Sequence, residues 1–474
     1  MNRHEDKHSM RREHELELAG PVIVVFMVLT VIAFLLPLRP ETSMREKRVL
    51  KEFPRFTVES LLNGDYFDGI TAWFSDTFPG RETMMEVSDR LSAMHGLNRN
   101  EVTLTQPAAS NDNAALDALL EQAESAAASQ QPAPEPVTVP EPEPEPAPTT
   151  QPEPAPSEAV GPTDADAVIE DWGGLNGEDE MRMYGDMVVI DGVIMSRIGF
   201  DQEAADHHIE LMNRCGDTLA EKGIRFFNLP APTSVSILLS SEMIEKIGTA
   251  DQGKTLRYMF AKENEHVSKV NTFNNLLEHN KEYIYFRTDH HWTALGAYYA
   301  YEEFCREAGF DPVPLSEYEE KNMGPFAGSN SYSVTSRYLK KDEMIAYIPP
   351  GNDNIHMKIT GYPDATSIVV DETNAEPNMK FNCFINGDNP ITEITNDSLP
   401  DAPDCLVIKD SFGNPFVVYL AQHYHKIYVL DFRKNFTPVS TVAEQYGVED
   451  VILVQSIGVS QTKNAQFLLD NLMK

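Results

Sequence analysis

Cysteine is scarce. Four residues, Cys215, Cys305, Cys383 and Cys405, lie far apart in a chain of 474, and none belongs to a CxxC pair. A disulfide scaffold, a zinc knuckle and a thioredoxin-type centre are thereby excluded. Positive charge is also short, with 38 Lys+Arg against 74 Asp+Glu and a net charge of −36. A chain this acidic repels phosphate backbones, so nucleic acid is not an expected partner. Between Arg99 and Arg182 there is no Lys or Arg at all, while the same stretch holds 18 Asp+Glu, half of the net charge. No internal repeat is visible.

What fills that stretch is proline and glutamate. From Gln131 to Pro162, Pro takes 12 positions. Alternating Pro and Glu fixes φ, self-repels and buries nothing, so residues 100–181 are expected to be an acidic, Pro-rich, disordered spacer. At ~3 Å per residue it has the reach to hold two parts of the protein apart.

Long apolar runs are few, and the longest comes early. Ala19 to Leu38 (AGPVIVVFMVLTVIAFLLPL) is uncharged over twenty residues. At ~1.5 Å per residue it spans the ~30 Å hydrocarbon core of a bilayer. No small-x-small cleavage site follows it before Arg39, so an uncleaved transmembrane anchor at 19–38 is expected. Arg3, Lys7, Arg11 and Arg12 precede the run and Arg39, Arg45, Lys47, Arg48 and Lys51 follow it, so charge bias nearly cancels. The short tail, 1–18, favours a cytoplasmic amino terminus and an extracytoplasmic bulk: a single-pass protein of the cell membrane. Residues 39–99 then read as a membrane-proximal helical segment. Its Phe67, Ile70, Phe74 and Phe78, with Trp73 alongside, recur at helical steps and are expected to dock on the later domain.

From 182 to 474 strand-like and helix-like runs alternate. Residues 187–192, 224–232, 283–289, 405–410, 427–432 and 451–456 read as strands, with helices at about 202–222 and 293–308 and after each of the last three strands. That is the rhythm of an α/β fold with a mainly parallel sheet covered on both faces. Residues 310–400 interrupt it with Gly-, Pro- and Asn-rich turns and read as an insertion with small strands of its own. In such sheets chemistry gathers where strands end and helices begin.

Two of these junctions hold reactive residues. In Thr288-Asp289-His290-His291-Trp292-Thr293, residues two apart face one side, so Asp289 can orient His291 as a general base. In Lys409-Asp410-Ser411-Phe412-Gly413-Asn414-Pro415, Ser411 sits between a strand and a helix amino terminus, a place that suits a nucleophile and part of an oxyanion hole. Taken singly, each is more simply a helix cap. Together they are the parts of a Ser-His-Asp triad, which is defined by geometry and not by chain order. Backbone N–H groups of Phe412 and Gly413, and Asn414, are the candidates for a further oxyanion donor. Trp292 reads as packed core beside the site. The pairs His207-His208 and His423/His425 read as solvated or capping residues, and no metal site is expected.

These segments carry a resemblance. FRTDHHWTALGAYYAYEEF resembles the signature of the DHHW proteins of Gram-positive bacteria, which are similar to the SGNH-hydrolase-like alginate O-acetylation proteins with their D-x-H-W and later G-D-S segments. FSDTFPGRE (74–82) resembles the F-S-D-x-F-P-x-R piece that those proteins carry after their anchor. The resemblance implies an SGNH-hydrolase-like three-layer α/β/α domain, with Ser411 as nucleophile, His291 as base and Asp289 orienting it. It also implies an acyl-Ser411 intermediate passed to a sugar hydroxyl of cell-surface polysaccharide, or to water, without a cofactor. The acyl donor would be handed across the membrane by a multi-spanning acyltransferase. The sequence departs from the relatives at Lys409, where they usually carry Gly. That departure and the long spacer keep a second reading open, a non-catalytic envelope protein of the same fold binding glycan or a partner.

Overall fold

The computed structural model describes residues 113–130, 175, 181–332, 339–359, 368–369, 377–378 and 380–473, with 42–43, 48–49 and single positions between 53 and 77. The expected anchor at 19–38 and most of 39–99 lie outside the described residues. Among the described residues no helix is long and apolar enough to cross a membrane. The chain divides into two compact units, residues 1–101 and 102–474. In the first, Thr42–Ser43 and Arg48–Val49 pair antiparallel. Phe53 meets Trp73 edge-on at 4.8 Å, and Phe56 meets Tyr66 at 5.2 Å. Of the expected apolar face, Ile70, Trp73 and Phe74 are described, all helical and half-buried.

The second unit begins with a correction. Residues 113–130 are not spacer but a helix, α1 (Asn113–Gln130). Its NAALDALLEQAESAAASQ is built from strong helix formers, and Leu116, Leu120 and Ala123 fall on one face, buried with Ile209, Tyr258 and Met259. Asn113 Oδ1 accepts the Asp251 N–H at 3.2 Å, and Lys254 pairs with Asp117. The acidity and prolines around this segment hid a local helical pattern. Leu175 then returns to the same unit, its N–H donating to Leu238 O at 2.7 Å. Gln130 and Leu175, the described residues on either side of 131–174, both lie in this unit.

Three short strands follow, β1 (Met181–Tyr184), β2 (Met187–Ile190) and β3 (Val193–Ser196), paired antiparallel in sequence order. The 187–192 run thus belongs to a separate meander and not to the parallel sheet. Helix α2 (Gln202–Ala220), capped by the Asp201 carboxylate on the Ala204 N–H, leads to β4 (Arg225–Ala231). Helices α3 (Ser234–Leu238), α4 (Ser241–Ile247) and α5 (Gln252–Lys262) precede β5 (Ser268–Lys269) and α6 (Phe273–Glu278). Helix α7 (Ala294–Ala308) starts at the Thr293 cap and stops at left-handed Gly309. A hairpin, β6 (Glu319–Phe326) with β7 (Asp342–Ile348), stands apart. Then come β8 (Ile355–Ile359), β9 (Ile391–Asn396), β10 (Cys405–Lys409), α8 (Gly413–Leu420), β11 (Lys426–Asp431), α9 (Val439–Tyr446), β12 (Asp450–Ser456), α10 (Ile457–Ser460) and α11 (Lys463–Leu472).

The main sheet has seven strands in the order β8-β9-β11-β10-β12-β4-β5. From β11 to β5 it is parallel, and β8 and β9 extend it antiparallel. The expected insertion at 310–400 therefore does not stand alone, because two of its strands complete the sheet. Strands β10 and β12 are buried throughout, as central parallel strands must be. Val407, Val429, Ile452 and Phe227 pack on one face with α7 and α8, while Leu406, Tyr428, Val451 and Phe226 pack on the other with α2 and α9. Two apolar faces and two helical layers make the three-layer α/β/α domain. Strand β10 lies between β11, which follows it through α8 on one face, and β12, which follows β11 through α9 on the other. The carboxyl end of β10 is thus the switch point at which the connections diverge.

His208 departs from the expectation of a solvated histidine. Helix α2 turns it inward to complete burial, with Nε2 3.0 Å from Gln455 Nε2. Burial, with a smaller push from His207, lowers its pKa from 6.5 to about 3. The unfolded chain takes up this proton near 6.5 and the folded one does not. Stability is therefore undiminished above that value and falls as pH drops from 6.5 toward 3. Calorimetry is expected to show Tm falling over pH 6.5–5, with a flatter dependence in His208→Gln.

Candidate active site

The run at 283–289 is not a strand. Its apolar residues are buried, but the segment folds back on itself through a single Tyr285–Trp292 bridge and the Thr293 N–H to Ile284 O bond of 2.8 Å. Two of the backbone donors a strand would give a neighbour, those of Arg287 and Thr288, go to Asp342 instead. Its fully buried carboxylate accepts the N–H groups of Arg287 (2.8 Å) and Thr288 (2.7 Å) and the Tyr283 hydroxyl (2.7 Å). Gly328 closes the other side. A Cβ there would come within 2.2 Å of Thr288 O, so only glycine lets the 328–332 turn approach. The loop bearing Asp289 and His291 is thus clamped by two residues from the expected insertion.

Within this clamp Asp289 is sealed, and among the described residues four donors are directed at its oxygens. Oδ1 accepts the His291 ring Nδ1–H at 2.5 Å and the His291 backbone N–H at 3.1 Å. Oδ2 accepts the backbone N–H and hydroxyl of Ser329 at 2.7 and 2.9 Å. With Nδ1–H committed to Asp289, Nε2 of His291 is the acceptor, and Ser411 Oγ lies 2.6 Å from it. The three residues named from sequence stand in one hydrogen-bonded line. The Phe381 ring stacks on the His291 imidazole at 4.3 Å and 17°. Trp292, fully buried as expected, donates its indole N–H to Phe412 O at 2.9 Å and ties the two site segments together.

Ser411 is held at the end of β10 by its predecessor. Asp410, buried, accepts the Phe412 N–H (2.9 Å) and the Ser456 N–H (2.8 Å), joining the turn to the end of β12. Burial pushes its carboxyl above the ordinary range, against the pull of Arg433 and these two N–H groups. The turn consumes two of the expected oxyanion donors, since the Gly413 N–H also bonds Asp410 O at 3.1 Å. Asn414 gives one amide hydrogen to Asp388 at 3.0 Å and retains the other. The Ser411 N–H donates to no acceptor among the described residues.

Lys409 does not crowd the nucleophile. Its stem lies against Gly413, where an added Cβ would sit 2.6 Å from Lys409 Cβ, so glycine at 413 makes the room. Its buried ammonium bonds Asp388 at 2.6 Å and Asp431 at 3.4 Å, and Arg433 bridges the same two carboxylates at 2.7 and 2.6 Å. Ligand-type atoms of Asp289, His290 and His291 lie within 4.8 Å of one another. An ion there would have to break the Asp289–His291 bond, so the chemistry of the trio favours a proton line over a cation.

The fold and site define a chain with a parallel-sheet switch point carrying a Ser-His-Asp line. The DHHW protein family model matches residues 46–118 and 163–430, well over half of the sequence, and the chain belongs to that family. It is similar to the crystal structure of a DHHW family protein from Eubacterium siraeum, with a TM-score of 0.54 and 24% identity over 62% of this chain and 98% of that one. Weaker likenesses are to Bacillus cereus PatB1 with a sulfonyl adduct (TM-score 0.49, 20% identity, 59% and 97% of the two chains) and to the O-acetyltransferase domain of Pseudomonas putida AlgJ (0.36, 11%, 60% and 98%). No curated protein sequence matches.

Proposed function

We propose that this protein is a membrane-anchored, extracytoplasmic O-acyltransferase or esterase, acetyl being the acyl group, acting on cell-surface polysaccharide through Ser411, His291 and Asp289. The observation that carries the reading is the unbroken line from Asp289 Oδ1 through both ring nitrogens of His291 to Ser411 Oγ, at 2.5 and 2.6 Å. Nε2 takes the Ser411 proton as Oγ bonds the acyl carbon of an ester donor, and the departing alcohol takes that proton back. A sugar hydroxyl then gives its proton to Nε2 and attacks the acyl carbon, and as the acyl–Oγ bond breaks Nε2 passes that proton to Ser411 Oγ, restoring the hydroxyl. Water in place of the sugar makes the same steps a hydrolysis. Asp289 holds the ring in the tautomer that each step needs. The Ser411 N–H, with the second amide hydrogen of Asn414, is assigned to the developing oxyanion. The apolar run at 19–38 supports the anchor, and a multi-spanning acyltransferase fits as the donor's source.

The test is covalent. Full-length protein in detergent, incubated with a serine-reactive phosphonate, is expected to gain one adduct on the peptide containing Ser411 and to lose p-nitrophenyl acetate hydrolysis in step. Absence of both labelling and turnover above the Ser411→Ala background overturns the reading.

A further inference from the structure

His290 is the one member of the Asp289-His290-His291 run that the proposed reaction leaves idle, yet it is built into the same hydrogen-bond system. Its side chain is 34% exposed, whereas Asp289 and His291 are sealed at 0% and 1%. Its Nδ1 lies 3.2 Å from Ser329 Oγ, which lies 2.9 Å from Asp289 Oδ2. The directions follow from the groups themselves. A carboxylate oxygen only accepts, so the single Ser329 hydroxyl hydrogen goes to Asp289, and the Ser329 lone pair accepts from His290 Nδ1–H. The result is one continuous path: His290 to Ser329 to Asp289 to His291 to Ser411. The His290 and His291 rings are also neighbours, with centroids 3.8 Å apart, and His290 Nδ1 is 3.6 Å from Asp289 Oδ1.

We propose that His290 is a positioning residue that couples the proton concentration outside the site to the strength of the His291 base, acting through Ser329 and Asp289. This rests on the catalytic reading above. When His290 is neutral, its Nδ1–H holds the Ser329 hydroxyl on Asp289, and Asp289 holds His291. When it is protonated, a positive charge stands beside both Asp289 and the His291 ring, and that ring must itself become positive as it takes the Ser411 proton. Two imidazolium rings in contact repel, and the added cation competes for the Asp289 carboxylate, so the reactive step slows. Among the described residues, the titratable groups facing His290 are Asp289 and His291 on its own loop. The elements packed against it contribute the Ser329 hydroxyl and, at 6.1 Å, the Phe412 ring, neither of which titrates in this range.

Two measurements test this on the full chain. In pH profiles of kcat/KM for p-nitrophenyl acetate, the acid limb of the wild type is expected to be spread over a wider pH range than one titration, because rings that repel take up their protons in separate steps, and that of His290→Gln is expected to follow a single proton. In a double-mutant cycle the pH effects of His290→Gln and Ser329→Ala are expected not to add, because both cut one path. Superimposable wild-type and His290→Gln profiles overturn the proposal. Imidazole 15N NMR gives a readout that needs no turnover. His290 is expected in the Nδ1–H tautomer, and its titration is expected to move the His291 signals less in Ser329→Ala than in the wild type. An Nε2–H tautomer, or His291 signals indifferent to His290, overturns the coupling even if catalysis stands. NMR coupling without turnover in the wild type would instead overturn the catalytic reading alone.

Discussion

Ser411→Ala is expected to lower kcat by on the order of 10^6, and Asp289→Asn by about 10^4, with neither variant losing its fold. Alanine removes the only group placed to form the acyl bond, and no other hydroxyl is described within hydrogen-bonding distance of His291 Nε2. The asparagine variant acts by a different route. Asp289 is surrounded by donors, namely the His291 Nδ1–H and N–H on one oxygen and the Ser329 N–H and hydroxyl on the other. An amide in that position must turn its NH2 toward one of these donors. If it faces the ring, His291 keeps its proton on Nε2 and can no longer accept from Ser411. If it faces Ser329, the clamp on the loop is broken. In either orientation phosphonate labelling of Ser411 should slow in parallel with ester hydrolysis. A variant that labels at the wild-type rate would show that the carboxylate is not needed to activate the hydroxyl. Double replacement is expected to do little more harm than Ser411→Ala alone, because the residues act as a unit.

The legible part of this site is local. Asp289 and His291 are two residues apart and Ser411 lies at the end of an apolar run, so spacing and strand ends were enough to name them. The residues that hold them are not legible, because each acts across a long separation in sequence. Ser329, Gly328 and Asp342 lie in a turn-rich stretch that reads only as an insertion, and Asp388 follows a run of left-handed positions at Ile385, Asn386 and Gly387. Their positions follow from the tertiary fold, and the one sequence signal they carry is the density of Gly and Asn. The fold shows the same division. β10, β11 and β12 read correctly because strands buried on both faces are continuous apolar runs. The 283–289 run has the same texture but gives its backbone donors to a side chain, so burial alone misassigned it. Helix α1 is hidden for the opposite reason, since about five turns of good helix are averaged into the acidic composition on either side.

Removal of Lys409 is expected to give the largest loss of stability. Lys409→Met leaves Asp388 and the fully buried Asp431 with Arg433 as the one cation paired with both among the described residues. Removing one member of a buried ionic cluster typically costs about 3–5 kcal/mol, and urea unfolding should show this as a lower midpoint at an unchanged slope. The loss has a direction in pH. Burial by itself would raise the Asp388 carboxyl, but Lys409 and Arg433 overcome it and hold the group well below 3.8. That stabilisation is present above 3.8 and is lost as pH falls through the folded value. The gap between wild type and Lys409→Met should therefore be widest near neutrality and close in acid. Gly413→Ala probes the same feature from the steric side, since its new Cβ meets Lys409 Cβ at 2.6 Å. Overpacking of this kind costs about 1–3 kcal/mol. In a Lys409→Gly background the clash disappears, and Gly413→Ala is expected to become neutral or stabilising. Equal cost in both backgrounds would mean that Gly413 answers to the backbone of the turn and not to the lysine stem, and that the two positions are not a compensating pair.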